Sequence, residues 1–206
     1  MVSGTDAWEN EYTRKGKLWS GVIHDLPEMP AGSQVLDLGC GNGKTLPVMI
    51  NRRWNVTALD ISGKAVTFSR NVSQGPSPAE VMVADARNIP FKSSKFDAVF
   101  AIHMIGHVHE TDRELIAREV SRILKKGGIL FFCDFSTYDV RFGNGKETEP
   151  STFLRGTEII THYFTRQEVI DLFPGLNCGS VTLHQWLMRV RGKHLERSEV
   201  IGVFYR

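Results

Sequence analysis

Between Val35 and Phe135 the chain alternates short apolar runs with longer stretches whose apolar residues recur at helical spacing. This pattern predicts strands at Val35 to Leu38, Asn55 to Leu59, Val81 to Ala84, Phe96 to Ala101 and Ile129 to Phe135. Helices are predicted from about Lys44 to Arg53, from about Gly63 to Asn71 and from Asp112 to Leu124. Strands alternating with helices imply a parallel sheet covered on both faces. Such sheets bind ligands outside the carboxyl ends of their strands, where the strand order reverses. Asp37, Asp60, Asp85 and His103 all fall at or just beyond predicted strand ends.

The flanks read differently. Residues 1–32 carry Trp8, Tyr12 and Trp19 among mixed charges and form a cap segment ahead of a core at 33–135. Ser136 to Gly156, rich in Gly, Thr, Glu and Asn, reads as a long excursion at the carboxyl edge of the sheet, and 136–160 is a candidate substrate lid. Thr165-Arg166-Gln167-Glu168 has the form of a capping box, with Phe164 and Val169 placed as a hydrophobic staple, so a helix should run from Arg166 to about Phe173. Apolar runs at Val181 to Val190 and Val200 to Tyr205 should close 161–206 as an antiparallel pair on the sheet edge.

Val35-Leu36-Asp37-Leu38 leads into Gly39-Cys40-Gly41-Asn42-Gly43, a turn with three glycines at alternate positions. Bare backbone there lets a ligand approach closely, and a helix start offers unpaired N–H groups. Asp60 follows at the end of the next apolar run, about 20 residues on, where a carboxylate can take two ribose hydroxyls. A dinucleotide fingerprint would read G-x-G-x-x-G, whereas the spacing here is G-x-G-x-G. Asp37 would repel a pyrophosphate and attract an ammonium or sulfonium group. S-adenosylmethionine is such a ligand.

Composition changes this picture little. A chain of 206 residues with 41% hydrophobic and 23% charged residues suits one globular domain, and a net charge of +2 does not by itself imply a polyanionic partner. The basic residues Arg189, Arg191, Lys193, Arg197 and Arg206 near the end read as a solvated face. Cys40, Cys133 and Cys178 are odd in number and widely spaced, which reads as reduced thiols in a cytoplasmic protein. No apolar run is long enough for a membrane span or follows a basic start as a leader would.

Asp37-Leu38-Gly39-Cys40-Gly41-Asn42-Gly43 resembles the first motif of class I S-adenosylmethionine-dependent methyltransferases of the type 11 kind. Asp60 in Ala58-Leu59-Asp60-Ile61-Ser62 is similar to the family's ribose-binding acidic motif, and Asp85-Ala86 to the pair that holds the adenine. Phe96 through Val108 resembles the fourth motif, and Glu119 through Gly128 the helix and turn before the fifth strand. The resemblance implies a single α/β Rossmann-like domain over 1–206, with a mostly parallel seven-stranded sheet, an antiparallel last strand and helices on both faces. It implies S-adenosylmethionine as cofactor, S-adenosylhomocysteine as product, and contacts from Asp37, Gly39, Cys40, Gly41, Asn42, Gly43, Asp60, Ile61, Asp85, Ala86 and Ile102. In many similar enzymes the N-terminal segment folds over the cofactor, so Tyr12, Arg14 and Trp19 would face it.

An activated methyl mainly needs alignment with its acceptor and exclusion of water. His103 is placed as the residue beside the methyl, as base or as a donor orienting the acceptor. His107 reads as structural and His109 as exposed; His103-x-x-x-His107-x-His109 lacks the pattern that would aim two rings together, so no metal is expected. A small-molecule acceptor ranks ahead of transfer RNA. Thr13 to Trp19 and Ile105-Gly106-His107-Val108 nevertheless resemble transfer-RNA wobble-uridine methyltransferases, which would bring an activating partner subunit. Against them, Gly106 stands where those enzymes keep a histidine. The remaining alternatives are a protein that binds S-adenosylmethionine or a nucleotide without transferring methyl, and a dehydrogenase, which the glycine spacing disfavours. No membrane partner is expected.

Overall fold

The computed structural model of the chain describes residues 4–18, 25–74, 78–156, 158–190 and 192–206. At the centre is β1 (Gln34–Leu38), parallel to β2 (Asn55–Asp60) on one side and to β4 (Phe96–Ile102) on the other. Outside these lie β3 (Glu80–Val83), parallel to β2, and β5 (Leu124–Phe135), parallel to β4. Two long strands, β9 (Asn177–Val190) and β10 (Lys193–Tyr205), complete a seven-stranded sheet of order β3-β2-β1-β4-β5-β10-β9, with β10 antiparallel to both of its neighbours. The order reverses between β1 and β4, so ligand chemistry belongs there.

Alternation along β1 fills both faces. Leu36 and Leu38 pack with Val99, Phe132, the inward residues Ile116, Val120 and Ile123 of α4 (Glu110–Ile123), and Val169 of α5 (Arg166–Leu172). Val35 points the other way, toward Ala58, Phe100, Leu46 and Met49 of α2 (Leu46–Asn51), and Val66 of α3 (Gly63–Val72). This two-sided burial matches the near-continuous apolar strands. α2 is shorter than predicted. Gly43 takes φ +80° and Thr45 is the N-cap, so helical geometry begins only at Leu46, with Pro47 in the first turn.

The excursion is more ordered than its composition implies. Within it, β6 (Lys146–Glu149) and β7 (Thr152–Leu154) pair with β8 (Ile160–His162) in a small antiparallel sheet. These strands of three or four residues, one of them Lys-Glu-Thr-Glu, are too short and polar to show an alternating signal. Two ties fix the excursion to the core. Asp139, buried, accepts from Arg141 Nε and Arg197 Nε, both at 2.7 Å, so Arg197 is an anchor within the basic hairpin. His162 bridges Thr152 Oγ1 and Glu168 Oε1, both at 2.7 Å.

The capping box forms as read: Thr165 Oγ1 accepts from Glu168 N at 3.2 Å, and Glu168 Oε2 accepts from Thr165 N. Phe164 and Val169 are both fully buried in one cluster. Thr165→Ala should therefore lower unfolding free energy by about 1 kcal/mol in a urea titration. An unchanged midpoint would show that the cap contributes nothing to α5.

Candidate functional site

The turn after β1 is built so that backbone, and no side chain, fills it. Gly39 has φ +74°, and a Cβ there would lie 2.3 Å from Met104 Cγ; at Gly43 a Cβ would lie 3.0 Å from the Ser69 backbone of α3. Any L side chain at these two positions meets both strain and collision. The turn is held by Asp60. Its Oδ2 accepts from Gly41 N and its Oδ1 from Ser62 N, each at 2.9 Å, so one carboxylate joins the glycine turn to the start of α3. Burial raises the Asp60 pKa, and the backbone N–H groups of Ser62 and Gly41 oppose that rise.

Asp37 sits behind the turn rather than in the cavity wall. It is 2% exposed and accepts a short hydrogen bond from Thr45 Oγ1. Burial pushes its pKa up to about 7, the Thr45 bond opposes this and the Asp60 charge adds to it. Asp37, expected from sequence to touch a ligand cation, contributes no surface to the cavity wall.

In front of the turn lies a cavity of about 430 Å³ at the carboxyl ends of β1, β2, β3 and β4. Its volume falls in the range for one small organic ligand. Of the residues expected from sequence, Tyr12, Gly39, Asp60, Ile61, Asp85, Ala86 and His103 line it, whereas Asp37, Cys40, Gly41, Asn42, Gly43 and Ile102 do not. Cys40 is buried, and its Sγ accepts from Ser69 Oγ. Trp19 lies outside the described residues. Arg14 is exposed and paired with Glu11 at 2.6 Å, so α1 (Gly4–Lys15) presents Ala7, Trp8 and Tyr12 to the cavity instead.

Sequence reasoning missed several wall residues. Arg87 Nη2 lies 2.7 Å from Asp85 Oδ2, and its Nη1 lies 3.1 Å from Asp112 Oδ2, a clamp across one end of the cavity. The Arg87 hydrogen bond holds the Asp85 pKa below the usual carboxylate range. Trp8 packs edge-on to His107, ring centroids 5.0 Å apart, and Glu158, Ile159 and Ile160 after the excursion's small strands also line the cavity. Of these, only the excursion carried a sequence signal.

The three histidines have separate partners. His109 Nδ1 lies 3.0 Å from Glu149 Oε1. His107 Nδ1 donates to the Ile160 carbonyl at 2.8 Å, which leaves Nε2 as the basic nitrogen, and Nε2 has no hydrogen-bond partner among the described residues. Burial lowers the His107 pKa, so the ring is neutral near pH 7. His103 is the reverse case. It adopts φ +51°, stacks on Phe135, and places Nε2 2.9 Å from Glu199 Oε1 and Nδ1 3.9 Å from Asp134 Oδ1. Burial disfavours its charge, but the two carboxylates prevail and push its pKa up to about 9. An imidazolium so held cannot serve as the base that the sequence suggested; it can donate a hydrogen bond.

Asp37 yields a signed prediction. A folded pKa of about 7 against an ordinary 3.8 means the folded chain binds this proton more tightly than the unfolded chain. The resulting stabilisation is complete below about pH 4 and is lost as pH rises to about 7, at most roughly 4 kcal/mol. Asp37→Asn should therefore gain stability relative to wild type across that window in urea unfolding. A constant difference between the two proteins would contradict the raised pKa.

Comparison with known proteins agrees with this geometry. Residues 36–132 match the family described as Methyltransferase domain. A probable tRNA methyltransferase 9B of Mus musculus is 37% identical over 117 residues, which are 56% of this chain and 25% of that protein. The 2-methyl-6-phytyl-1,4-hydroquinone methyltransferase of Synechocystis is 32% identical over 124 residues, 60% of this chain and 37% of that protein. The chain thus spans well under half the length of these relatives. A SAM-dependent methyltransferase of Methanosarcina mazei superposes with a TM-score of 0.74 at 25% identity, covering 86% of this chain and 94% of that one. Residues 36–132 thus carry a methyltransferase domain, and the sheet order and glycine turn support a class I S-adenosylmethionine-dependent methyltransferase.

Proposed function

We propose that the chain transfers the methyl group of S-adenosylmethionine to a small-molecule acceptor in the cavity between α1, the end of β4 and the excursion. When bound, the cofactor supplies a methyl already activated for in-line displacement. The residues present suit it. Asp60 uses one lone pair on each oxygen for the turn and keeps others for two ribose hydroxyls. Asp85 and Ala86, clamped by Arg87, would hold the adenine end, and the Gly39 backbone leaves room for close approach. The Asp37 charge beneath the turn favours a cationic ligand.

The chain's own chemistry is alignment, water exclusion and one proton. Trp8, Ile159 and Ile160 wall the cavity, with 136–160 acting as the lid. His103, a cation, orients the acceptor as a hydrogen-bond donor. His107 is the ring equipped to accept a proton, since its Nε2 is basic and unpaired and the ring lines the cavity.

The observation that carries the choice of acceptor is the charge of the wall. Asp60, Asp85, Asp112 and Glu158 line the cavity against two cations among the described residues, Arg87, which pairs with Asp85 and Asp112, and the His103 imidazolium. The remaining excess of carboxylate disfavours a phosphate backbone, so a neutral or cationic small molecule fits better than RNA. Gly106 points the same way. Its N–H donates to Asp134 Oδ2 at 2.8 Å, and a Cβ there would lie 2.9 to 3.0 Å from that carboxylate, so a histidine in this position, as the wobble-uridine enzymes keep, would force Asp134 to move. The transfer-RNA reading stands second, favoured by the mouse relative's likeness, and would require a partner subunit.

The deciding experiment uses methyl-labelled S-adenosylmethionine in a cell extract separated into small-molecule, RNA and protein fractions. Label should enter the small-molecule fraction; label in RNA would move the conclusion to the second reading. Asp60→Ala should weaken S-adenosylhomocysteine binding by about 1 to 3 kcal/mol in calorimetry, and unchanged affinity would end the ribose assignment. His107→Asn should slow transfer by on the order of 100-fold or more while leaving cofactor affinity intact. An unaltered rate would leave His107 as wall only.

A further inference from the structure

Beside the cofactor cavity, three strands bring together three different ligand atoms. Cys133 on β5 is opposite Ile102 on β4, so His103 stands one residue past that pair. Across the other border Cys133 is opposite Ile201 and Phe135 is opposite Glu199, which puts Cys133 and Glu199 on one face of the sheet by the period of two. The left-handed backbone at His103 accompanies a ring turned onto Glu199. The result is an imidazole nitrogen, a thiol sulfur and a carboxylate oxygen all within 4.8 Å of one another. Cys133 is fully buried and Glu199 is 3% exposed.

We propose that His103 Nε2, Cys133 Sγ and Glu199 form a site for a thiophilic divalent transition metal of the zinc class. The donor set is that of a zinc site, and tetrahedral bonds of the usual length put such donors roughly 3.3 to 3.5 Å apart. Here Sγ lies 3.7 Å from Oε2 and Nε2 lies 2.9 Å from Oε1 of the same carboxylate, and the three donors fall within 4.8 Å of one another. On binding, the thiol gives up its proton to the buffer and ligates as thiolate, and the imidazole ligates through a deprotonated Nε2. Asp134, with Oδ1 3.9 Å from His103 Nδ1, is the supporting group that orients the ring. His184, across β9 from Glu199 with Nδ1 3.8 Å from Oε2, is a further donor close by. Three protein ligands leave a fourth position open, and His103 is the one that lines the cavity. With metal bound, His103 is a ligand and no longer a proton donor to the acceptor.

The test is a titration of the chelator-treated full chain with Co²⁺, whose thiolate ligation gives a sulfur-to-metal absorbance band. One equivalent should produce the band in wild type and in Cys178→Ser, which removes the exposed thiol. Cys133→Ser should lose the band. Glu199→Gln, close in shape and so a guard against misfolding, should keep it with affinity reduced by on the order of 10- to 100-fold or more. Absence of a band in wild type, or a band that persists in Cys133→Ser and vanishes in Cys178→Ser, would overturn the site. Calorimetry with S-adenosylhomocysteine on the same samples keeps the two conclusions separate. Cofactor binding without a cobalt band removes only the metal site, and a band without cofactor binding removes only the cofactor reading.

Discussion

The Asp60 carboxylate, accepting at once from Gly41 and Ser62, is the interaction on which the site depends. It closes the gap between the turn after β1 and the helix after β2, the two segments that flank one side of the point where strand order reverses. The glycines make the turn possible, because Gly39 lies against Met104 and Gly43 against Ser69 with no room for a Cβ. The carboxylate then fixes where the bare backbone ends up. Everything the cavity presents to a ligand, from Asp85 to Tyr12, is positioned relative to that tie.

Electrostatics in this region follow from burial at some groups and from pairing at others. Burial raises both Asp37 and Asp60, and the Asp60 charge raises Asp37 further. His103 and His107 sit four residues apart in the sequence, yet one is held protonated by Asp134 and Glu199 and the pKa of the other is lowered by burial. Environment, not residue type, divides their roles.

Much of this was legible in the sequence. The alternation from Val35 to Phe135 carried the parallel sheet because each strand is buried on both faces and each helix on one. The glycine turn, Asp60 and Asp85 were legible because the backbone conformation and charge they need narrow the residue types allowed. The capping box at Thr165 was local, four residues long and decisive. What could not be read came from contacts distant in sequence. Glu199 reaches His103 across 96 positions, and nothing near either residue announces the pairing that changes a candidate base into a cation. The strands at 146–162 are too short to carry a period, and Arg87 reads as a surface residue until the fold places Asp112 beside it. That Asp37 would lie behind the turn, bonded to Thr45, was not legible from its place in the motif.

Calorimetric titration of the wild-type chain with S-adenosylhomocysteine and, separately, with NAD tests the central claim most directly. Saturable binding of S-adenosylhomocysteine at one molecule per chain, with no heat from NAD, is the predicted result. Binding of NAD in its place would mean that the glycine turn and Asp60 serve a dinucleotide, and the methyltransferase reading of the cavity would be wrong.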